Sequence, residues 1–414
     1  MRARERADAA LLLTTAAALM AMGVAVLYSA GQTDVPTAAA RLWERQLIFL
    51  GVGVVAGVVV SRISPRLLEW ATPALYVAGL ALLALTLAVG TGAGTAVGSK
   101  SWLAVGGVRV GQPSELAKLA VILMLARHLA SRREPASTLW QLVPAAAIVG
   151  AAFLLVGLQP DLGSALVFIG ILFAVLFWAG VSPWLLLLLA SPLLSLLFAF
   201  STLSWGIWIA VLTAVLFWQR PYVLEGLTVW LTNVGMGIMA LTLWNRLAPY
   251  QQNRLLSFLN PEVDPRATGW HIIQSKVAIG SGGLIGKGFT EGTQKRLAFL
   301  PEQATDFVYS VVGEELGFLG VLASLVLFGV FLSLLLRIAR RATDPFASLV
   351  VFGIAGMFFT HVVENIGMTI GLMPITGIPL PFFSYGGSFL LTGCIALGVV
   401  LRVARDARRT GYGD

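Results

Sequence analysis

The stretch "FLPEQATDFVYSVVGEELGFLGVLASLVLFGVFLSLLLR", Phe299 to Arg337, joins a polar loop to a long apolar run. The run is long enough for a helix that crosses the hydrocarbon core of a bilayer, which takes about 20 residues. Acids lie at or just inside its start: Glu302, Asp306, Glu314 and Glu315. Carboxylates are costly in lipid, so acids at the start of a membrane helix are expected to have a specific function.

The composition of the whole chain also indicates a membrane protein. Of its 414 residues, 57% are hydrophobic and 12% are charged, and the mean hydropathy is +0.86. Soluble domains carry about 25% charged residues, so a soluble globular domain is excluded. The apolar runs are continuous rather than alternating, which predicts an all-α polytopic membrane protein rather than a barrel. The single cysteine, Cys394, excludes an internal disulfide framework.

Hydropathy predicts about twelve membrane spans of about twenty residues each. Their centres lie near Ala18, Val54, Ala81, Val121, Ile148, Ile171, Ser191, Val211, Val234, Leu325, Gly356 and Ala396. Arginines cluster at the ends of these spans. The net charge of +8 is therefore attributed to membrane topology and not to binding of nucleic acid.

The basic residues of the short loops predict the orientation of the spans. If the N-terminus is inside, the inner segments hold most of the arginines: Arg2, Arg4, Arg6, Arg62, Arg66, Arg127, Arg132, Arg133, Arg220, Arg337, Arg340, Arg341, Arg402, Arg405, Arg408 and Arg409. The short outer loops hold fewer cations: Arg41, Arg45, Lys100 and Arg109. Both termini are therefore predicted to lie inside.

Two predicted outer segments are long enough to form a site, residues 91–111 and residues 245–305. Loops as long as the second, without an obvious helix or strand pattern, are usually functional or disordered. Its stretch from Gly280 to Gly288 is rich in glycine, so the backbone amides could approach a phosphate closely. The context of a nucleotide-binding P-loop is missing. Cations of the second segment predict an anionic ligand: Arg246, Arg254, Arg266, Lys276, Lys287, Lys295 and Arg296.

Asp306 stands where this second segment meets the membrane. Thr305 or Asp306 could simply cap the helix that follows. Burial and neighbouring charge at a membrane boundary can also shift the pKa of an acid into the range that suits a general base. Glu314 and Glu315 lie roughly 12 Å deeper along a straight helix, beyond the about 5–9.5 Å of a paired acid and base. We expect them to face the bundle interior.

Two more acids lie in short polar clusters between apolar runs. In "QPSELAKLA", which begins at Gln112, Glu115 and Lys118 share one face of a helix start and can form an ion pair. That pair could be purely structural or could hold a site. In "LQPDLGSAL", which begins at Leu158, Asp161 lies in a turn and could cap the next helix.

A broken membrane segment is predicted for "NIGMTIGLMPITGIPLPFFSYGGS", Asn365 to Ser388, because prolines and glycines interrupt apolar sequence. Irregular backbone at membrane depth is tolerated only where it is buried in protein or lines a cavity. Ser384 lies within this segment. Taken alone, the pattern would suit a transporter equally well.

Four stretches in order resemble one family. "SELAKLA", "QPDLGSA", the loop ending in "GTQKRLAFLPEQATDF", and "GIPLPFFSYGGS" are similar to segments of the SEDS family (shape, elongation, division and sporulation). The resemblance covers nearly the whole chain and is greater to the rod-elongation branch than to the division branch. It implies a single SEDS-type helical bundle over residues 1–414, with residues 245–305 as a large extracellular loop.

The resemblance also implies a function, that of a peptidoglycan glycosyltransferase polymerising lipid II at the outer face of the cytoplasmic membrane. An essential acid of the family corresponds to Asp306, and a family salt bridge corresponds to Glu115 and Lys118. Cations that could stabilise a departing pyrophosphate, with or without a divalent ion such as Mg²⁺ or Mn²⁺, are Lys276, Lys287, Lys295, Arg109 and Lys100. The implied partners are a class B penicillin-binding protein, the elongation machinery and membrane lipid.

The chain departs from the family pattern at three places. Ala304 stands where a histidine commonly precedes the Thr-Asp pair, so a catalytic histidine there is impossible. Phe389 follows Ser388 where a second small residue is usual, which predicts different packing. Residues 182–243 hold about two spans more than the usual ten, an added pair that leaves Asp306 facing outward.

Other functions would use parts of the same pattern. A flippase for lipid II would need the same bundle and broken helices without making bonds. An ion-coupled transporter would place acids along a path at the membrane midplane, and often has inverted repeats. The acids here gather towards one boundary instead. A membrane scaffold for the penicillin-binding partner would not need a basic, glycine-rich loop.

Overall fold

The computed structural model describes residues 2–92, 100–105, 108–219, 222–247, 249–259, 268–300 and 302–406, and it is a bundle of helices. The long helices are α1 (Arg2–Ala30), α2 (Leu42–Val60), α3 (Pro65–Val89), α4 (Pro113–Ala130), α5 (Val143–Leu158), α6 (Leu162–Trp178), α7 (Pro183–Phe198), α8 (Thr202–Gln219), α9 (Val223–Arg246), α13 (Val308–Arg341), α14 (Pro345–Thr369) and α15 (Gly387–Asp406). Each of the twelve predicted span centres falls within one of them.

The lengths and compositions of these helices make the chain a multi-pass membrane protein. Within the described ranges, nine helices are long and apolar enough to cross a membrane. Helices α6 and α7 are apolar but shorter. Helix α4 includes three charged residues, Glu115, Lys118 and Arg127. Charge on a buried membrane helix needs partners, and α4 is buried on most of its surface.

The apolar core has two parts. The main cluster joins α1, α4, α5, α6, α13, α14 and α15 around fully buried side chains such as Phe168, Phe331 and Phe358. A small second cluster lies between α7, α8 and α9, and its buried members are Leu188, Leu212, Leu216 and Val229. These three helices cover the region where the sequence predicts an extra pair of spans.

The predicted broken segment is present between α14 and α15. Residues 370–386 are irregular, and their side chains include several that are almost wholly buried: Ile375, Ile378, Leu380, Phe382 and Phe383. Gly23 on α1 packs directly against this backbone, since a Cβ there would lie 2.1 Å from the carbonyl oxygen of Phe382. The segment is thus enclosed by protein, as irregular backbone at membrane depth must be.

Two predicted loops are more ordered than their sequences indicate. The segment 245–305 contains α10 (Pro249–Leu259), α11 (Thr268–Ser281) and α12 (Thr293–Arg296). The segment 91–111 contains an antiparallel hairpin of β1 (Leu103–Val105) and β2 (Val108–Gly111). The predicted all-α bundle is confirmed, and the short helices and the small hairpin add local order within the two loops. Short amphipathic or mixed stretches between spans carry a weaker periodic signal than the spans themselves.

Helix α13 is broken near its start. Gly317 has φ 63°, a left-handed conformation inside the helix. The glycine-rich stretch replaces the lost helical bonds. Backbone N–H groups of Lys287 and Gly288 donate to the carbonyls of Glu314 and Glu315 at 3.0 and 3.1 Å. In return, the N–H groups of Phe318 and Leu319 donate to Gly283 and Leu284 at 2.9 and 3.1 Å.

Candidate active site

Asp306 lies in a series of turns, residues 302–307, and not in a helix. Helix α13 begins at Val308, and its N-cap residue Phe307 makes no side-chain capping bond. The prediction that Thr305 or Asp306 caps this helix is therefore wrong. Because its side chain does not serve the helix end, the Asp306 carboxylate remains available for another role.

Three hydrogen bonds hold the backbone beside Asp306. The Asn365 amide on α14 donates to the Asp306 carbonyl at 3.0 Å. The Ser384 hydroxyl donates to the Thr305 carbonyl at 2.5 Å, and the Tyr385 N–H donates to the Ala304 carbonyl at 2.8 Å. All three donors come from α14 or from the irregular segment after it. The position of Asp306 thus depends on residues some sixty to eighty positions later in the chain.

The surroundings of Asp306 favour its protonation near neutral pH. The residue is half-buried. Burial raises the pKa of Asp306 to about 7, and the nearby Glu302 carboxylate adds to the rise. The Arg254 guanidinium and a hydrogen bond from Thr305 oppose it. A carboxyl with a pKa near the working pH can accept a proton and later release it, which is the property of a general base.

Arg254 approaches the same point from α10. A Cβ placed on Gly377 would lie 3.4 Å from Asp306 Oδ2 and 3.7 Å from Arg254 Nη1. Both side chains therefore lie against this glycine of the irregular segment. The sequence places Arg254 among the basic residues of the loop, but only the fold brings it to Asp306.

Asp161 caps α6, as its place in the turn before the helix predicts. Its Oδ1 accepts from the Ser164 N–H at 3.0 Å, and its Oδ2 accepts from the Gln112 side chain at 2.9 Å. The Gln112 N–H in turn donates to the Ser388 hydroxyl at 3.0 Å. Both carboxylate oxygens are engaged, and the turn before α6 is tied to the starts of α4 and α15.

The predicted ion pair on α4 is present. Lys118 Nζ lies 2.9 Å from Glu115 Oε1, and both side chains are almost wholly buried. Lys118 Nζ also lies 3.0 Å from Nε2 of His361 on α14. His361 was not among the predicted site residues. A lone histidine in an apolar run carries no signal that it will meet a lysine from a distant helix.

Four of the five predicted phosphate-binding cations have side chains that the structure describes, and they fall into two groups. Lys276 and Lys100 are exposed, and Lys276 Nζ lies beside Gly371 at the end of α14. The side chain of Arg109 lies outside the described residues. Lys287 and Lys295 are engaged elsewhere, which the sequence did not predict.

Lys295 is a structural cation. Its side chain is fully buried, with Nζ 2.6 Å from Glu315 Oε1 and 2.9 Å from the Ser29 hydroxyl and carbonyl oxygens. Assigning it to substrate is a prediction that the structure contradicts, since a cation walled in by an acid and two oxygens cannot reach a ligand. It joins α12, α1 and α13.

Lys287 is a quarter exposed, and its Nζ lies 2.7 Å from Glu314 Oε1. Glu314 also accepts from the N–H groups of Gln294 and Lys295 at 2.8 and 3.3 Å. Glu314 and Glu315 are buried, as expected, but their main partners are the loop before α13. The amides of Gly286, Lys287 and Gly288 donate to backbone carbonyls, so these three amides are not available to an anion.

A protein-held metal ion does not fit the residues present. Within the described part of the chain, no group of three or more His, Cys, Asp and Glu side chains is placed to hold one. Asp306 faces Arg254, and Glu115 faces Lys118, so these acids already have cationic neighbours. An ion such as Mg²⁺ or Mn²⁺ that is carried by the pyrophosphate of the substrate needs only one or two protein carboxylates, and it stays a prediction.

Comparisons with known proteins agree with this architecture. The family of cell cycle proteins that takes in FtsW, RodA and SpoVE matches residues 9–225 and 202–409. The peptidoglycan glycosyltransferase RodA of Treponema pallidum is 36% identical, covering 95% of this chain and 96% of the relative. The peptidoglycan glycosyltransferase MrdB of Escherichia coli K12 is 36% identical, covering 93% of this chain and 90% of the relative.

Solved structures are similar over the same extent. A chain from work described as "Structural coordination of polymerization and crosslinking by a peptidoglycan synthase complex" has a TM-score of 0.70 and 32% identity, covering 97% of this chain and 98% of that one. The crystal structure of the rod shape determining protein RodA of Thermus thermophilus has a TM-score of 0.63 and 31% identity, covering 97% of both chains. On its sequence and on its fold, the chain belongs to the FtsW, RodA and SpoVE family of cell cycle proteins.

Proposed function

We propose that this chain polymerises lipid II into glycan strands during cell elongation, at the outer face of the cytoplasmic membrane, with Asp306 as the general base. The chain is a glycosyltransferase of its family, in which curated relatives are named peptidoglycan glycosyltransferases. The observation that carries the assignment of Asp306 is its setting. It is half-buried beside Arg254 and has a pKa of about 7, and three hydrogen bonds hold the carbonyls of residues 304–306.

The proposed step transfers one glycosyl group. The Asp306 carboxylate takes the proton from a hydroxyl of the acceptor sugar as that oxygen attacks the anomeric carbon of the donor. A new carbon–oxygen bond forms, and the bond from the anomeric carbon to the lipid pyrophosphate breaks. The pyrophosphate leaves as an anion with its polyprenyl chain. Asp306 then releases its proton to solvent, so the base is regenerated.

Cations near Asp306 would stabilise the departing pyrophosphate, because fixed positive charge is most effective where negative charge develops. Arg254 is the cation that lies nearest to Asp306 among the side chains discussed above. Lys276 and Lys100 are exposed and remain in the proposed set. Lys287 is held by Glu314, and Lys295 is not included.

The proposed topology has both termini in the cytoplasm and the Asp306 end outside. The arginine content of the short loops supports this orientation. A class B penicillin-binding protein is the proposed partner, and the support is the similarity to a chain of a peptidoglycan synthase complex. Contact with the rest of the elongation machinery is proposed from the similarity to RodA.

Polymerisation of labelled lipid II by the purified protein, with and without a class B penicillin-binding protein, tests the proposal. Asp306→Asn keeps the side-chain shape but cannot take the proton, so we expect glycan synthesis to fall by at least about 100-fold. Burial raises the pKa of Asp306 from 3.8 to about 7, so folding stability falls as the pH rises between these values and the carboxylate becomes charged. A neutral amide avoids that cost, so Asp306→Asn should not unfold the protein.

Asp34→Asn is the matched control, because Asp34 is an exposed acid that pairs with Arg296 away from Asp306. Its glycan synthesis should equal that of the wild type. Wild-type synthesis by Asp306→Asn would remove the general-base role. Movement of lipid II between leaflets without any glycan product would favour a flippase instead.

A further inference from the structure

His361 connects the buried ion pair on α4 to the irregular segment that follows α14. Its Nε2 lies 3.0 Å from Lys118 Nζ, and its Nδ1 lies 3.0 Å from the Pro379 carbonyl oxygen. A lysine ammonium can only donate, and a carbonyl can only accept. Both contacts are satisfied together by one form of the ring, a neutral imidazole that accepts at Nε2 and donates from Nδ1.

Asn365 lies on the same face of α14 as His361 and also bonds to the irregular segment. Asn365, one turn later, donates to the Ile378 carbonyl at 2.8 Å and to the Asp306 carbonyl at 3.0 Å. His361 and Asn365 therefore hold consecutive carbonyls of the irregular segment, those of Pro379 and Ile378. Asn365 thus holds both the segment and the Asp306 backbone, and His361 holds the next carbonyl of the segment.

The hydrogen bonds continue from Pro379 to the turns that carry Asp306. The N–H of Leu380, the next residue, donates to the Ser384 hydroxyl at 2.8 Å. That hydroxyl donates to the Thr305 carbonyl at 2.5 Å. A displacement of Pro379 would therefore move Ser384, and with it the peptide that directly precedes Asp306.

Phe389 restrains the ring of His361 from the other side. The two rings stack with centroids 4.3 Å apart and planes 20° from parallel, and Lys118 Nζ lies 5.8 Å from the Phe389 centroid. The large ring leaves His361 no space to swing away from Lys118 and Pro379, so its donor and acceptor remain aligned.

We propose that His361 is a positioning residue for Asp306, and that it carries the effect of the Glu115–Lys118 pair to the active site. Lys118 fixes the tautomer of His361, His361 holds Pro379, and the segment from Pro379 to Ser384 holds the peptide before Asp306. The inference depends on the proposed function, since it concerns the alignment of the base with the acceptor hydroxyl. A misplacement of about 1 Å at such a group can lower the rate about 100-fold.

The alternative is a histidine that only fills the core, and two variants separate the readings. His361→Gln keeps an acceptor for Lys118 and a donor for Pro379 at nearly the same separation. His361→Leu keeps most of the volume and has neither. We expect His361→Leu to lower kcat for lipid II polymerisation by 10-fold to 100-fold with KM within threefold of wild type. His361→Gln should recover kcat to within threefold.

His128→Leu is the control, a histidine replaced by leucine near the other end of α4, and its kcat and KM should be unchanged. Should His361→Leu not fold, His361→Asn replaces it, since the shorter amide cannot reach both partners. The expected result is then a low kcat for the asparagine variant and a recovered kcat for the glutamine variant. Equal kcat in the glutamine variant and in the leucine or asparagine variant would overturn the positioning role.

Two further measurements keep this inference separate from the proposed function. Wild type and Asp306→Asn are assayed in the same series. If wild type makes glycan, Asp306→Asn does not, and every His361 variant matches wild type, only the role of His361 is lost. If wild type makes no glycan with its partner present, the proposed function fails and the inference fails with it.

Discussion

At the scale of single residues, the chemistry of the candidate site comes from the neighbours of one carboxyl. Glu302 and Arg254 act on Asp306 with opposite signs, and burial outweighs both. The result is a pKa of about 7, more than three units above the usual value of 3.8. A base with that pKa is charged at the upper end of the physiological range and loses its charge on mild acidification.

The pH dependence of the rate follows from that pKa. Only deprotonated Asp306 can accept a proton, so kcat should fall below about pH 7 and approach a tenfold loss per pH unit. Arg254→Gln removes the cation that lowers the pKa of Asp306, so the fall of kcat at acid pH (the acid limb of the pH profile) should move to higher pH. Glu302→Gln removes an acid that raises the pKa, so the limb should move to lower pH.

Rates of lipid II polymerisation measured across pH 5 to 9 at saturating substrate would check these two shifts, each on the order of one pH unit or less. Asp34→Asn is again the control, and its profile should coincide with that of wild type. If the two variants shifted the limb in the same direction, another group would have to be responsible for the acid limb.

At the scale of elements, the break in α13 decides how the loop before it is held. The helix gives up bonds around Gly317, and residues 283–288 supply replacements through their own backbone. Two lysines of the loop then pair with Glu314 and Glu315 just before the break. Glu314 and Glu315 therefore anchor the loop to the helix. This role explains both acids without making either of them a second catalytic carboxyl.

Gly317→Ala tests this anchoring. Alanine rarely adopts φ 63°, and its Cβ would lie 2.2 Å from the backbone nitrogen of Gly286. Such strain costs about 1–3 kcal/mol. We expect a lower melting temperature in detergent and faster proteolysis within residues 282–296.

Gly329→Ala is the matched control on the same helix, because no atom lies within 4 Å of its added Cβ. It should leave both the melting temperature and the proteolysis of the loop unchanged. Equal behaviour of the two alanine variants would show that the break at Gly317 is not needed to hold the loop.

At the scale of the whole molecule, the helices form a main core and a smaller unit of α7, α8 and α9 with apolar contacts of its own. The two family matches overlap at residues 202–225, within that smaller unit. The side chains that bond to the backbone beside Asp306, those of Asn365 and Ser384, come from α14 and the segment after it, which belong to the main core and not to the smaller unit. Membrane orientation is the remaining property at this scale, and it decides which side of the membrane supplies the substrate.

Cysteine labelling tests the orientation. The native Cys394 is 5% exposed, so background labelling should be low. Lys100→Cys, on the Asp306 side, should react with a membrane-impermeant maleimide added to intact cells or spheroplasts. Arg133→Cys, in the loop after α4, should react only after the membrane is opened. The reverse pattern would place Asp306 in the cytoplasm and contradict polymerisation at the outer face.

Much of the architecture could be predicted because transfer into a bilayer is a local property of the chain. Each apolar run of sufficient length forms a helix, so the twelve centres fall inside helices. The ion pair of Glu115 and Lys118 was predictable for the same reason, since three positions on one helix define their proximity. The irregular segment was predictable from its prolines and glycines.

Sequence alone thus determined the class of the protein, its spans, its family and the acid to examine. The tertiary structure alone decided which charges remain for chemistry. Lys295 meets Ser29, 266 positions away, and Lys118 meets His361, 243 positions away. Pairings at such distances depend on how whole helices pack, and a buried charge goes to whichever opposite charge the packing brings near it. That is why Lys287 and Lys295 pair with buried acids, while Arg254 comes to lie beside Asp306 and His361 beside Lys118.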